Sequence, residues 1–192
     1  MPGSPRSEDA RVIAASHDDP ERFAEIFDRY YPEIRGYVDR RLGASAADDI
    51  AAETFLTAFR KRDRFDPAAG SARPWLYGIA TRLVSRHRRD ETRRLRALAR
   101  ASARPEPGAD EDRATERVLA AQAAPDVARA LAALNPGQRD ALLLVALGGL
   151  SYEDVTRALG VPYGTVCSRV NRARAKLRAA LAHLETEVAD HG

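Results

Sequence analysis

LSYEDVTRALGVPYGTVCSRVNRARAKLR, residues 150–178, is the stretch that decides the fold. Its pattern predicts two short helices around a tight turn. Ser151 suits an N-cap, and Asp154 follows three residues later in the manner of a capping box. Val155 and Leu159 mark an apolar face at i and i+4. Gly160 supplies the positive φ that ends a helix, and Pro162 stands where the next can begin. In the second helix Val166, Val170, Ala173 and Leu177 form one buried stripe, while the other faces carry polar and basic side chains. From Arg169 to Arg178 there are five basic residues and no acid. A short helix, a glycine turn and a basic second helix is the helix-turn-helix arrangement, whose second helix enters a DNA major groove. The same residues would also serve as a hairpin in an ordinary bundle with solvated charges, so the upstream segments must arbitrate.

Upstream, Asn135-Pro136 reads as a cap and helix start leading into Ala141–Leu147, with Gly148-Gly149 as its stop. Asp126 caps a further helical region with Val127, Ala130, Leu131 and Leu134 inward. Before it, residues 104–112 are rich in proline, glycine and acid and read as a linker, with Thr115–Ala124 as a candidate short helix. The N-terminal half opens with Met1–Ser7, expected to be disordered, and a short helix over Glu8–Ala15. Asp19-Pro20 starts a longer one, whose apolar residues Phe23, Ile26, Phe27, Tyr30, Ile34, Tyr37, Val38 and Leu42 recur at threes and fours. Pro32 is expected to kink or split it, and Gly43 to close it. A helix over Ala46–Arg62 follows, with Asp48 and Asp49 expected in its first turn, where the dipole favours negative charge. After a loop through Phe65–Ser71, Pro74 starts the most basic helix, with nine arginines between Arg73 and Arg100 against Asp90 and Glu91 alone. Trp75 and Tyr77 at its head suit stacking on unpaired bases beside a phosphate-binding surface.

Composition excludes several alternatives. The single Cys167 rules out an internal disulfide or a thiolate metal site, and four scattered histidines (His17, His87, His183, His191) show no metal-ligand spacing. No apolar run approaches the roughly 20 residues that span a membrane, and no signal-peptide core is present, so a cytoplasmic location is expected. Asp48 and Asp49 are adjacent and on a helix point about 100° apart, which does not make a catalytic carboxylate pair. No enzymatic activity, no metal and no cofactor are expected. No segment alternates as a strand does.

The expected fold is all-α: two small helical domains joined by a flexible linker, the C-terminal one containing the helix-turn-helix. The expected boundaries are a disordered terminus or short helix over 1–18, a first domain over 19–100, a linker over 101–125, a second domain over 126–186 and a tail over 187–192. A linker of about 20 residues, extended at roughly 3.3 Å each, reaches on the order of 60 Å, nearly two turns of duplex.

Taken together, the segments resemble the extracytoplasmic-function class of RNA polymerase sigma factors. Phe23–Gly43 resembles that family's first long segment, and Asp48–Arg60 its polymerase-clamp helix. Pro74-Trp75-Leu76-Tyr77-Gly78-Ile79-Ala80 with the basic run resembles its promoter-melting and −10 helix. Leu150–Asp154 with Gly164-Thr165-Val166 and Arg172-Ala173-Arg174 resembles its −35-reading helix-turn-helix.

The resemblance implies a protein that binds core RNA polymerase and directs promoter-specific initiation by reading −35 duplex and capturing melted −10 DNA. It implies polymerase contacts at Asp49, Glu53, Phe55 and Phe59. It implies −10 contacts at Phe65, Arg73, Trp75, Tyr77, Arg82, Arg86 and Arg89, with the loop Phe65–Arg73 shaping a pocket for a flipped base. It implies −35 contacts at Thr165, Cys167, Ser168, Asn171, Arg172 and Arg174. Core RNA polymerase, promoter DNA and an anti-sigma factor are the partners it implies. Cys167 stands where the family usually has Arg or Lys, Arg82 where it often has Asn, and Arg86 where an acid is common. The competing reading is a transcriptional regulator that binds duplex DNA through the C-terminal helices and has no polymerase-recruiting role.

Overall fold

In the computed structural model residues 5–102 and 125–190 are described, and every regular element among them is helical. The linker core and the candidate helix over Thr115–Ala124 lie outside the described residues.

The first helix, α1 (Pro5–Ala15), begins three residues before the expected Glu8. It is built into the first domain: Val12 and Ile13 are buried against the same core as the longer helices. Asp19 accepts from Glu21 N at 3.3 Å, and a single 3₁₀ turn over Pro20–Phe23 leads into α2 (Ala24–Leu42). Contrary to expectation, Pro32 neither splits nor ends α2. An interior proline costs about 3 kcal/mol. Ile26, Tyr30, Ile34, Tyr37 and Val38 on both sides of it are buried, each stabilising by roughly 1.5–3 kcal/mol, so burial outweighs the defect.

Gly43, at φ 86°, turns the chain into α3 (Ala44–Arg60). That start is two residues earlier than expected and leaves no acid in the first turn. Asp48 instead accepts from Arg35 Nε (2.7 Å) and Tyr31 Oη (3.0 Å), which hold its carboxyl below the usual range. Side-chain partners on α2, not the helix dipole, set its charge. Two 3₁₀ turns, Arg62–Arg64 and Pro67–Ala69, lead to α4 (Arg73–Ser102), which packs Leu76, Ile79, Ala80 and Val84 against α2 and α3.

The second domain comprises α5 (Pro125–Ala132), α6 (Pro136–Ala146), α7 (Tyr152–Leu159) and α8 (Tyr163–Asp190). Its caps are those the sequence signals. Asn135 Oδ1 accepts from Gln138 N at 2.8 Å, Ser151 Oγ from Asp154 N at 3.1 Å, and Gly160 takes φ 66°, ψ 38°. Val166, Val170 and Ala173 of α8 are fully buried against α5, α6 and α7, the stripe expected from their spacing. Residues 187–190, expected to be tail, continue α8.

The two domains pack on each other. Their closest approach is where α4 crosses α7: a Cβ on Gly78 would lie 2.3 Å from the Ala158 carbonyl oxygen. Polar bonds surround the crossing. Arg40 Nη2 donates to Leu147 O (2.8 Å), Arg73 Nη2 to Gly148 O (2.6 Å), and Arg157 Nη1 to Ala69 O (3.0 Å). Arg41, only 1% exposed, donates to Asp140 Oδ1 at 2.7 Å. A Gly78→Val substitution is expected to part the domains while leaving each folded. Solution scattering should report a larger radius of gyration with unchanged helical circular dichroism; an unchanged radius would contradict the packing.

Candidate nucleic-acid and partner interfaces

The loop between α3 and α4 builds a cavity of about 420 Å³, within the range of small-ligand clefts. Phe65 and Trp75 line its apolar side, their ring centroids 5.3 Å apart and tilted by 57°. Arg64 and Asp66 contribute polar groups, and Arg157 reaches in from α7. Asp66 caps its own turn by accepting from Ala68 N at 2.9 Å, and Gly70 at φ 75° lets the chain turn back toward α4. Aromatic faces with charged groups beside them suit a single unpaired base and its phosphate.

A residue that sequence reasoning passed over holds this loop in place. Asp9 of α1 is fully buried. Its Oδ2 accepts from Tyr30 Oη (2.6 Å), Ala72 N (2.8 Å) and Ser71 Oγ (3.4 Å), while Arg29 pairs with Oδ1. The signal was present: Asp9 shares a helical face with Val12, Ile13 and Ser16, an acid on an apolar stripe.

The seven expected −10 residues divide into three groups. Phe65 and Trp75 form the cavity. Arg82, Arg86 and Arg89 are exposed at i, i+4 and i+7, and line a neighbouring cleft of about 520 Å³. Arg73 and Tyr77 point the other way. Tyr77 is 1% exposed, donates to Glu33 Oε1 at 3.0 Å and packs edge-on against Tyr37. Arg73 is taken up by Glu33 (2.6 Å from Nε) and the Gly148 carbonyl. In the packed arrangement, then, Tyr77 does not stack on a base, because the second domain and α2 occupy its surroundings.

On α8 the expected −35 residues form one continuous surface. Thr165, Ser168 and Arg172 follow at i, i+3 and i+7, with Asn171 beside them and Cys167 and Arg174 along the flank. Asn171, Arg172 and Arg174 are exposed; Thr165, Cys167 and Ser168 are half-buried. Ser168 Oγ donates back to Thr165 O at 3.0 Å. Cys167 lies beside Tyr163, which is half-exposed and whose phenol pKa it raises.

The α2–α3 surface departs from expectation in one respect. Asp49 and Glu53 are exposed as expected, and Phe59 is half-buried, but Phe55 is buried and packs beneath Phe27 at 5.0 Å. The apolar groups actually presented are Phe27 (38% exposed) and Leu56 (42%). Leu56 shares its helix face with Asp49 and Glu53 at i, i+4 and i+7. Among the described residues no group of His, Cys, Asp or Glu is placed to hold a metal.

Two stability predictions follow from Asp9. Asp9→Ala strands a buried phenol, a backbone N–H and an arginine, and should lower stability by about 2–4 kcal/mol, read as a lower urea midpoint. Burial first, then the bond to Asp9, pushes the Tyr30 phenol up to about 12. The folded value lies above the ordinary one of about 10, so this contribution is intact below pH 10 and lost as pH rises through 12. The native chain should therefore lose stability more steeply over that window than Tyr30→Phe.

Comparison with known proteins agrees with this geometry. Residues 26–94 match the Sigma-70 region 2 family and residues 126–177 the Sigma-70 region 4 family. The chain is 42% identical over 134 residues to the ECF RNA polymerase sigma factor SigC of Mycobacterium tuberculosis, covering 70% of this chain and 69% of that one. It is 32% identical over 179 residues to the RNA polymerase sigma factor CarQ of Myxococcus xanthus, covering 88% and 94%. Among solved structures, the sigma factor RpoE in complex with the anti-sigma factor NepR from Bartonella quintana aligns with a TM-score of 0.57 at 26% identity, over 83% of this chain and 96% of that one. With region 2 carrying the aromatic cavity and region 4 the exposed recognition helix, the chain belongs to the extracytoplasmic-function family of RNA polymerase sigma factors.

Proposed function

We propose that this chain recruits core RNA polymerase through the α2–α3 surface, reads a −35 duplex with α8 and captures melted −10 DNA in the Phe65–Trp75 cavity. The observation that carries this reading is the presence of two different nucleic-acid surfaces on separate domains of one chain. One is a polar, basic helix face suited to a major groove; the other is an aromatic cavity suited to a single base. A duplex-binding regulator would have no use for the second.

Each step rests on named groups. Phe27 and Leu56 offer apolar anchors with Asp49 and Glu53 alongside, a pattern suited to a protein partner. Asn171 and Arg172 are the exposed side chains best placed for base edges, and Arg174 adds phosphate attraction. Extruding a base costs a few kcal/mol, and stacking returns about 1–3 kcal/mol per base, so phosphate contacts from Arg82, Arg86 and Arg89 tip the balance. Strand capture is a binding event; the bond-forming chemistry belongs to the polymerase, and this chain acts without catalysis of its own.

Two promoter elements nearly two duplex turns apart cannot both be met by domains whose helices cross in contact. Engagement therefore separates α4 from α7, freeing Arg73 and Tyr77 and withdrawing Arg157 from the base cavity. An anti-sigma factor, as in the RpoE–NepR complex, is the expected antagonist. The site of action is the cytoplasm, where polymerase and promoter DNA are found; among the described residues no helix is long and apolar enough to cross a membrane.

Reconstitution with core polymerase and genome-wide mapping of transcript starts tests the reading. Starts preceded by shared −35 and −10 motifs are expected. Arg172→Ala should cost about 1–3 kcal/mol of promoter discrimination at one −35 position. Leu56→Ala should weaken capture by polymerase without altering duplex binding. Tight duplex binding by the chain alone, with no transcription when polymerase is added, would establish the regulator instead.

A further inference from the structure

Where the end of α2, the second half of α4 and the start of α6 meet, Arg41, Arg88, Arg89, Arg93, Arg96 and Arg139 line a cavity of about 370 Å³. One acid, Asp140, shares its wall, and both its oxygens are engaged: Oδ1 by Arg41 at 2.7 Å and Oδ2 by Ser85 at 3.4 Å. Asp90, further along α4, meets Arg86 and Arg93 only at 3.6 and 3.7 Å on the exposed side.

Positive charge is thus collected here well beyond what the protein neutralises, and part of it is out of water. Arg41 is 1% exposed, and its Nε is buried with no hydrogen-bond partner. Arg88 donates one Nη to the Arg41 carbonyl, yet its Nε and other Nη are also buried without an acceptor. Burial, then the like charges of Arg41 and Arg139, push the Arg88 pKa down to about 9, which still leaves it cationic at neutral pH. Arg139 is held by the carbonyls at the end of α5 (Leu131 at 2.7 Å, Leu134 at 3.0 Å), so its charge is fixed in place. Buried N–H donors without acceptors are costly and uncommon. Three of them beside a six-arginine cavity call for an acceptor carrying more than one negative charge.

We infer that this cavity binds a multiply charged phosphate anion, free pyrophosphate or the phosphate chain of a nucleotide, which bridges the two domains. Guanidinium forks match phosphate oxygens in pairs, and several guanidiniums converging from three helices exceed what a single carboxylate would satisfy. Arg41 and Arg88 belong to the first domain and Arg139 to the second, so a bound anion favours the packed form in which all of them face the same cavity. Promoter DNA is the less suitable occupant. A duplex backbone reaches exposed Arg89 and Arg93, but the unpartnered nitrogens of Arg41 and Arg88 lie out of contact with solvent.

The test is calorimetric titration of the full-length chain with inorganic pyrophosphate and, separately, with GDP, at matched ionic strength, together with thermal denaturation. One saturable site and a rising melting midpoint are expected. Equal affinity for the two probes would identify the free anion as sufficient, and tighter GDP binding a nucleotide as the ligand; both support the site. Arg88→Gln should weaken binding roughly tenfold, the loss of one charge-assisted hydrogen bond. Arg93→Gln, whose side chain is 76% exposed and carries little structural burden, should do likewise if Arg88→Gln fails to fold. Arg86→Gln, equally exposed but off the cavity, should bind as the native chain does. The inference fails if no saturable binding is seen, or if Arg86→Gln loses as much as the cavity variants, which indicates diffuse attraction. It also fails if Arg88→Gln weakens only promoter binding by the polymerase-bound chain, which would make the cavity a DNA-backbone contact.

Discussion

Gly78 and the backbone of Ala158 meet at a distance no side chain permits, and the arrangement of the whole molecule depends on that contact. Because α4 touches α7 there, the basic helix of the first domain has two fates along its length. The face bearing Arg73, Tyr77 and Gly78 is used against α2 and the second domain. The face bearing Trp75, Arg82, Arg86 and Arg89 remains turned outward, with its aromatic end in the cavity. A glycine on α4 thereby sorts one arginine-rich helix into a surface for closure and a surface for nucleic acid.

Electrostatics makes the closure conditional. The contact relies on arginines donating to carbonyls and to Asp140, bonds that water and DNA phosphates compete for. It also gathers Arg41, Arg88 and Arg139 around a single carboxylate, a repulsion that holds the packed form nearer to opening. Apolar burial within each domain does not depend on the crossing in the same way: Ile26, Ile34 and Val38 pack in the first domain, Val155, Val166 and Val170 in the second. The domains can thus part without either core being dismantled, which is what a protein that bridges two distant DNA elements requires.

Much of this was legible in the chain itself. Ser151, Gly160 and Pro162 punctuate the helix-turn-helix as the structure has it, and the Val166–Val170–Ala173 stripe fixes which side of α8 faces outward. Asn135-Pro136 and Asp19-Pro20 start helices for the same local reasons. What escaped were consequences of tertiary contact. Pro32 sits within an unbroken helix because its neighbours are buried on both sides. Asp48 answers to Arg35 and Tyr31 on another helix. Phe55 and Phe27 exchange the roles that composition alone would assign, since only packing decides which aromatic lies on top. Tyr77, with the same local signature as Trp75, differs from it by its position relative to Gly78 and the second domain.

The central claim is that one chain passes from a packed form to a separated one when it engages polymerase and promoter. The direct measurement is the distance between fluorescent labels placed through cysteines at exposed Glu25 on α2 and Ala175 on α8, in a Cys167→Ser background. The free chain should give high energy transfer, and core polymerase with promoter DNA should lower it. Transfer that stays high in a transcribing complex would contradict the account.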